Sequence, residues 1–200
     1  MVRPRQISDE DILTKARSCF LEHGPGLATG VIAKELGVSQ ATLFNRFGTK
    51  EELFRAALNL PHANWAEGLA DGPTQAPIEA QLQDIGLAIL TYLDQLMPTI
   101  VVLRASGIAP RDCAEPDLEP PPIRHHRTLS SWFERAHQRG LLAVPSPETA
   151  AQTFMGTLHA RAMMRHLWGK PMVPVSDSEY VQQFVGTLLV GLKSHSEESK

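Results

Sequence analysis

The sequence predicts an all-α fold, and three observations support this class. Apolar residues recur at the three- and four-residue spacing of helices along most of the chain, while β-branched residues cluster tightly only at residues 100–102. Serine, threonine or proline precedes many of these patterns and glycine follows several, as at helix starts and ends. The 200 residues are 42% hydrophobic, which is enough apolar material for a packed core.

Composition and charge exclude several classes of protein. A net charge of −3 excludes a uniformly basic nucleic-acid-binding surface, although residues 1–60 carry 8 Lys and Arg against 7 Asp and Glu, and residues 61–200 carry 11 against 15. No uninterrupted apolar run approaches the ~18 residues of a membrane span, and none follows residue 5 as a secretory signal would. We expect a cytoplasmic protein in which Cys19 and Cys113 are free thiols.

Four short helices are predicted in the first sixty residues. The predicted spans run from Ser8 to Gly24, from 31 to 36, from 40 to 47 after Ser39, and onward from Thr49. Ser8, Ser39 and Thr49 each offer a side-chain oxygen to the first turn, and Glu52 completes a capping box with Thr49. Pro61 interrupts the fourth pattern, where it either breaks the helix or opens a separate helix at its first turn.

Longer helices are predicted in the remaining residues, at about 77–97, 123–139, 147–168 and 178–193. Pro98 either kinks the first of these or opens a new helix that ends near Gly107. Residues 108–122 contain five prolines and are predicted to form a loop. Ser176 or Ser178 is expected to cap the last helix.

The two short helices on either side of Gly37 are the most informative feature. A helix-turn-helix needs a small residue in its first helix, a tight turn, and a second helix whose outer face is free to enter a groove. Ala33 permits close helix packing, and Gly37 permits the turn. The apolar residues expected to pack inward are Ile32, Leu36, Val38, Leu43 and Phe47, which leaves Gln40, Ala41, Thr42, Phe44, Asn45 and Arg46 facing outward.

The stretch from Val31 to Leu53, VIAKELGVSQATLFNRFGTKEEL, resembles the DNA-binding segment of the TetR family of bacterial regulators. The resemblance covers about the first 55 residues, and the remainder matches only in outline, as a helical body of suitable length. It implies a three-helix DNA-binding head at residues 1–50 and a helical ligand-binding and dimerisation body at residues 51–200. The implied function is a repressor that releases a palindromic operator when it binds a small-molecule inducer; the alternative is a body that senses a protein partner.

The resemblance also implies roles for individual residues of the head. Gln40 and Ala41 would meet base edges in the major groove, while other polar side chains would hold phosphates. The family usually has Tyr where this chain has Phe44, which cannot donate to a phosphate. The family commonly has His where this chain has Arg46. The longer, charged guanidinium of Arg46 would restore the phosphate contact or reach a guanine. The implied DNA-binding set is Thr29, Ser39, Gln40, Ala41, Thr42, Phe44, Arg46 and Lys50.

The last two helices carry long apolar stripes. Such stripes would pair with their two-fold copies in a four-helix interface, and the small residues Gly156 and Ala160 would allow close approach. In TetR-family proteins the last two helices form the dimer interface, so the resemblance agrees. The expected interface residues are Phe154, Leu158, Val181, Phe184, Val185, Leu188 and Leu192. The alternative is that both stripes pack only inside the subunit.

A small-molecule site is expected between the middle helices, among aromatic and apolar side chains with a few polar groups. The candidates are Trp65, Tyr92, Leu96, Arg104, His126, Trp132, Phe133, Met155 and His159, with the adjacent His125 as a further polar group. Most of them would be ordinary core residues under the alternative interpretation. The eight histidines lack the spacing of metal ligands, and no cofactor loop or catalytic motif is present, so we expect no metal, no cofactor and no enzyme.

Overall fold

The computed structural model describes residues 7–113 and 119–192, and all regular structure in these ranges is helical. The helices are α1 (Asp9–His23), α2 (Thr29–Leu36), α3 (Gln40–Phe47), α4 (Lys50–Ala57), α5 (Asn64–Glu67), α6 (Ile78–Ala105), α7 (Pro121–Gln138), α8 (Pro147–Trp168) and α9 (Asp177–Leu192), with a 3-10 turn at Pro110–Cys113. The predicted all-α class is therefore confirmed.

The chain packs as two compact units. Unit 1 comprises residues 1–60 and 98–116, and unit 2 comprises residues 61–97 and 117–200. In this division the described residues 51–60 and 98–113 pack with the head, whereas the predicted boundary at residue 50 assigns them to the body. The reason is burial: Leu53 of α4 and Leu103 of α6 lie in the hydrophobic core of unit 1.

Capping hydrogen bonds define the helix starts in unit 1. The side chain of Ser8 accepts from the backbone of Asp11, whose carboxylate accepts in return, and Thr49 and Glu52 form the same reciprocal box. Hydrogen bonds from the Thr49 side chain and backbone hold the pKa of the Glu52 carboxyl below its ordinary value. Cys19 is a free, buried thiol, and the side chain of Cys113 lies outside the described part of the chain.

The break predicted before Pro61 is confirmed, because α4 ends at Ala57. The alternative, a helix opening at Pro61, is wrong, since α5 begins at Asn64. Arg17 of α1 stabilises the chain where it leaves α4: its guanidinium donates to the backbone oxygen of Asn59 at 2.8 Å and to Oγ1 of Thr99 at 2.7 Å. These bonds tie three segments of unit 1 that are far apart in sequence.

Helix α6 runs without interruption through Pro98. By length and composition it could cross a bilayer, contrary to the expectation drawn from uninterrupted apolar runs. Many of its apolar side chains are instead buried in protein cores, with Leu82 and Leu93 in the core of unit 2 and Leu103 in that of unit 1. Helix α6 is therefore the core helix of a folded protein in this structure.

Candidate nucleic-acid interface

The α2–α3 pair is a helix-turn-helix whose geometry follows from local backbone contacts. Gly37 adopts the left-handed conformation at φ 68°, which ends α2 and lets the chain turn sharply. The backbone N–H of Val38 donates to the oxygen of Ala33 at 3.0 Å. Ser39 then starts α3, where its Oγ accepts from the backbone N–H of Thr42 at 3.1 Å.

Helix α3 buries one face and leaves the other open. Leu43 is fully buried in the core of unit 1 beside Ile32, and Leu36, Val38 and Phe47 pack against that core while partly buried. The residues on the open side are Gln40, Ala41, Phe44, Asn45 and Arg46, with Thr42 half-buried. This burial confirms the predicted division into inward and outward residues except at Thr42, which was predicted to face outward.

The polar groups of this face differ in whether they already have hydrogen-bond or ion-pair partners within the protein. The hydroxyls of Ser39 and Thr42 lie 2.9 Å apart at the exposed start of α3. Lys50, the first residue of α4, is half-exposed and has no ion-pair partner among the described residues. An uncommitted cation and hydroxyl groups of this kind are suited to a phosphate.

Arg46 is already engaged within the protein. Its Nη1 donates to the backbone oxygen of Ile7 at 2.7 Å and lies 3.3 Å from Oδ1 of Asp9. A DNA phosphate would have to compete with the Asp9 carboxylate for this guanidinium. This pairing could not be predicted from the sequence, where Asp9 has the position of an ordinary acid in the first turn of α1.

Thr29 is placed differently from the other candidates. It is 3% exposed, and its Oγ1 accepts a hydrogen bond from Nε2 of Gln40 at 2.7 Å. The two residues lie eleven positions apart, on α2 and α3. The side chain of Gln40 itself remains on the open face.

The candidates for a small-molecule site are divided between the units. Arg104 is exposed and lies in unit 1, so it is removed from a site in the body. The others lie in unit 2, where Tyr92, Trp132, Phe133 and Met155 are buried in the core and Trp65, Leu96, His126 and His159 are partly buried. Within the described residues, no group of three or more His, Cys, Asp or Glu side chains could hold a metal ion.

His125, rather than His126, is the histidine at the centre of an aromatic cluster in unit 2. It is 5% exposed, and its ring makes edge contacts with Trp65 and Tyr92 at centroid distances of 5.2 and 5.4 Å. Nε1 of Trp65 is buried without a hydrogen-bond partner among the described residues. The sequence contained a signal for the inward residue, since His125 lies four positions before the buried Leu129.

Burial lowers the pKa of His125 to about 4, with smaller contributions from the charges of Arg124, His159 and His62. The folded protein therefore keeps this ring neutral at a pH where the unfolded chain binds a proton. The free energy of unfolding must therefore fall as the pH drops from 6.5 towards 4.

We expect His125→Phe to remove about 2–3 kcal/mol of this pH dependence of the unfolding free energy, as measured by unfolding midpoints between pH 7 and 4. If the unfolding midpoints of wild type and His125→Phe fell equally with pH, His125 would not be the source of the dependence.

The predicted dimer residues are mostly core residues of the single chain. Phe154, Leu158, Val181 and Val185 are each 0% exposed, so a partner has no surface of theirs to contact. Phe184 and Leu188 are partly buried against the same core, and the side chain of Leu192 lies outside the described residues. The stripe prediction is corrected for the four buried residues, because the core of unit 2 covers them.

Other apolar residues of α8 and α9 are exposed instead: Met163, Leu167, Trp168 and Val190. Along α8, Gly156, Ala160, Met163 and Leu167 are spaced so as to share one face. On α9, Gly186 and Val190 are likewise four residues apart. A Cβ built on Gly156 or Gly186 would meet no atom within 4 Å, so these positions are open within the chain.

Comparison with known proteins identifies both parts of the sequence. Residues 12–57 match the family described as "Bacterial regulatory proteins, tetR family", and residues 80–190 match "AefR-like transcriptional repressor, C-terminal domain". The HTH-type transcriptional repressors AcnR of Corynebacterium efficiens and Corynebacterium glutamicum are each 33% identical over 78 residues, or 38% of this chain. The match spans 42% of the length of these relatives.

Solved structures share the fold over nearly the whole chain. A putative TetR-family transcriptional regulator from Mesorhizobium loti superposes with a TM-score of 0.67 at 20% identity, covering 93% of this chain and 96% of that one. The ketosteroid transcriptional regulator of Mycobacterium tuberculosis gives a TM-score of 0.62 at 18% identity, covering 95% and 98%. At these identities the likeness shows the fold alone.

Proposed function

Since the chain belongs to the TetR family of bacterial transcriptional regulators, we propose that this repressor holds a palindromic operator as a homodimer and releases it when a small molecule binds its body. The observation that supports DNA binding most directly is the open face of α3, presented by a capped and tightly turned helix pair. A protein acting on bacterial DNA in this way would work in the cytoplasm. The family consists of regulators rather than enzymes, and the proposal needs no cofactor.

The residues of α3 and α4 divide into two kinds of DNA contact. Gln40 and Ala41 stand at the start of α3, where a recognition helix meets base edges. Ser39, Thr42 and Lys50 offer hydroxyls and a cation to phosphates, which fix register without reading sequence. Phe44 adds an apolar ring to the exposed face, and Arg46 contributes to phosphate binding only after it leaves Asp9.

The phosphate role of Lys50 has a direct test. We expect Lys50→Ala to weaken binding to a selected operator and to lower the slope of log K against log salt by about 1, because one phosphate contact releases about one counterion. The loss should be equal for all operator variants. Lys170→Ala makes the same charge change at an exposed position of unit 2 and serves as the matched control. An unchanged salt slope in Lys50→Ala would remove Lys50 from the DNA contacts.

The proposed dimer uses the open faces of α8 and α9. Met163 and Leu167 supply exposed apolar surface on α8, and Gly156 and Gly186 allow another helix to approach closely. A two-fold copy presents the same faces, so α8 and α9 of both chains would form a four-helix interface. This arrangement keeps the predicted pair of helices but uses other residues of each.

The proposed small-molecule site is the cluster of Trp65, Tyr92 and His125 in unit 2. Its rings are apolar, His125 is neutral at physiological pH, and Nε1 of Trp65 is a donor that has no partner in the described part of the chain. These features favour an uncharged aromatic or apolar inducer that carries a hydrogen-bond acceptor.

Screening such compounds by thermal shift, followed by release of operator DNA, tests ligand responsiveness. Compounds that raise the unfolding midpoint of wild type and release DNA support it. The alternative, a body that senses a protein partner, would be favoured if no compound released DNA while a partner protein did.

A further inference from the structure

A side-chain hydrogen bond joins the first residue of α2 to the first residue of α3. Nε2 of Gln40 donates to Oγ1 of Thr29 at 2.7 Å. Thr29 is 3% exposed, whereas Gln40 is exposed. A hydroxyl on so buried a side chain offers almost no surface to a phosphate oxygen.

The bond limits what the Gln40 carboxamide can present to DNA. With one N–H directed at Thr29, the amide keeps its Oε1 acceptor and a second N–H donor for an outside partner. The major-groove edge of adenine offers the matching pair, an N6–H donor and an N7 acceptor. Because the amide is held in the free protein, less side-chain freedom has to be lost when DNA binds.

Gly30 keeps space open beside the amide oxygen. A Cβ at this position would lie 3.7 Å from Oε1 of Gln40, and that is the nearest contact such an atom would meet. The α2 residue next to Thr29 therefore has no side chain that could stand between the carboxamide oxygen and a base edge. Thr29 therefore orients the Gln40 carboxamide, and the absence of a side chain at Gly30 leaves the carboxamide oxygen accessible to a base.

We infer that Thr29 is a positioning residue for base readout: its hydroxyl orients the Gln40 carboxamide and does not bind a phosphate. The inference rests on the proposed function, because it requires that α3 reads DNA. It assigns Thr29 to sequence discrimination, where the resemblance to the family implied a phosphate contact.

The test compares Thr29→Val, which keeps the shape and removes the acceptor, with Thr29→Ser, which keeps the hydroxyl. Affinities are measured at one salt concentration for an operator selected by wild type and for each single-base-pair variant of it. Gln40→Ala should lose about 5- to 150-fold discrimination at one base pair. Thr29→Val should lose about 2- to 12-fold at the same base pair, the value of one hydrogen bond, and Thr29→Ser should retain it.

Double variants separate orientation from direct contact. If Thr29 acts through Gln40, Thr29→Val has no further effect in a Gln40→Ala background. A uniform loss across all operators that persists in that background would overturn the inference in favour of a phosphate contact. Unchanged discrimination in Thr29→Val would also overturn it.

Folding and function are controlled separately. Circular dichroism and unfolding midpoints verify each variant, and Thr29→Ala removes the same acceptor should the valine variant be destabilised. Failure of wild type to select any operator would refute the proposed function, whereas normal operator selection with an additive Thr29 effect would refute only the positioning role. The two failures are therefore distinguishable.

Discussion

Leu167→Arg is expected to convert the dimer to monomers and to weaken operator binding by about 100-fold or more, because two linked heads bind two half-sites far more tightly than one. Leu167 is 57% exposed, so an arginine there costs the single chain little. In the proposed interface the same guanidinium would be buried without a partner, which is strongly unfavourable. Sedimentation measures the assembly, and titration of a selected palindrome measures binding.

Ile123→Arg is the matched control for this substitution. Ile123 lies on α7 and is 55% exposed, so the change in charge and exposure is nearly the same outside α8 and α9. The control should remain dimeric and bind DNA normally. A Leu167→Arg protein that stays dimeric would exclude this face of α8 from the interface.

Asp177→Ala is expected to lower the free energy of unfolding by about 3 kcal/mol. The Asp177 carboxylate accepts from Nε of Arg161 and from Nη1 of Arg165, each at 2.7 Å. Arg161 is 5% exposed, so losing the carboxylate leaves a buried charge whose remaining partners among the described residues are the backbone oxygens of Val173 and Val175 and the Tyr180 ring. The unfolding midpoint should fall by about 6–12 °C.

Asp94→Ala tests the exposed part of the same network. Asp94 pairs with Arg165, whose other partner is Asp177, and the Asp94 side chain is 45% exposed. Exposed pairs contribute about 0–1 kcal/mol, so this variant should be close to wild type. Equal losses for Asp94→Ala and Asp177→Ala would show that burial of Arg161 is not the cause.

The contribution of Asp177 should also disappear in acid. Partial burial acts to raise its pKa, but the hydrogen bonds and charges of Arg165 and Arg161 outweigh burial and hold the pKa below the ordinary 3.8. The stabilisation is complete above that value and is lost as the pH falls through the lower folded pKa. The gap between the midpoints of wild type and Asp177→Ala should therefore narrow below about pH 4.

The helices themselves were largely predictable from the sequence. Residues 40–47 and 147–168 form helices with the predicted bounds; Ser39 caps the first as expected, and Ser146 caps the second. These features depend on hydrogen bonds between residues three or four apart, so the information lies within one or two turns. The DNA-binding segment was recognisable because the residues that form its turn and its helix caps lie close together in the sequence.

Local sequence signals did not decide whether a helix continues through a proline or ends before it. Pro98 left two outcomes open, and the structure has one helix through it, with apolar residues on both sides buried in cores. Pro61 likewise left two outcomes, and the segment between Ala57 and Asn64 is not helical. Burial of neighbouring side chains offsets the backbone bond that a proline removes, and a sequence pattern does not say whether that burial occurs.

The sequence by itself determined the helical class and the capped helix-turn-helix, because both are encoded in short-range spacing, and the resemblance of residues 31–53 indicated the family. Only the tertiary structure decided which side of a helix is covered: the stripe with Val181 and Val185 faces the core, His125 is buried beside Trp65, and Thr29 bonds Gln40. Periodicity shows that a helix has an apolar face but not what packs on it. That choice depends on contacts between residues far apart in the chain, where burial and hydrogen bonding are settled together.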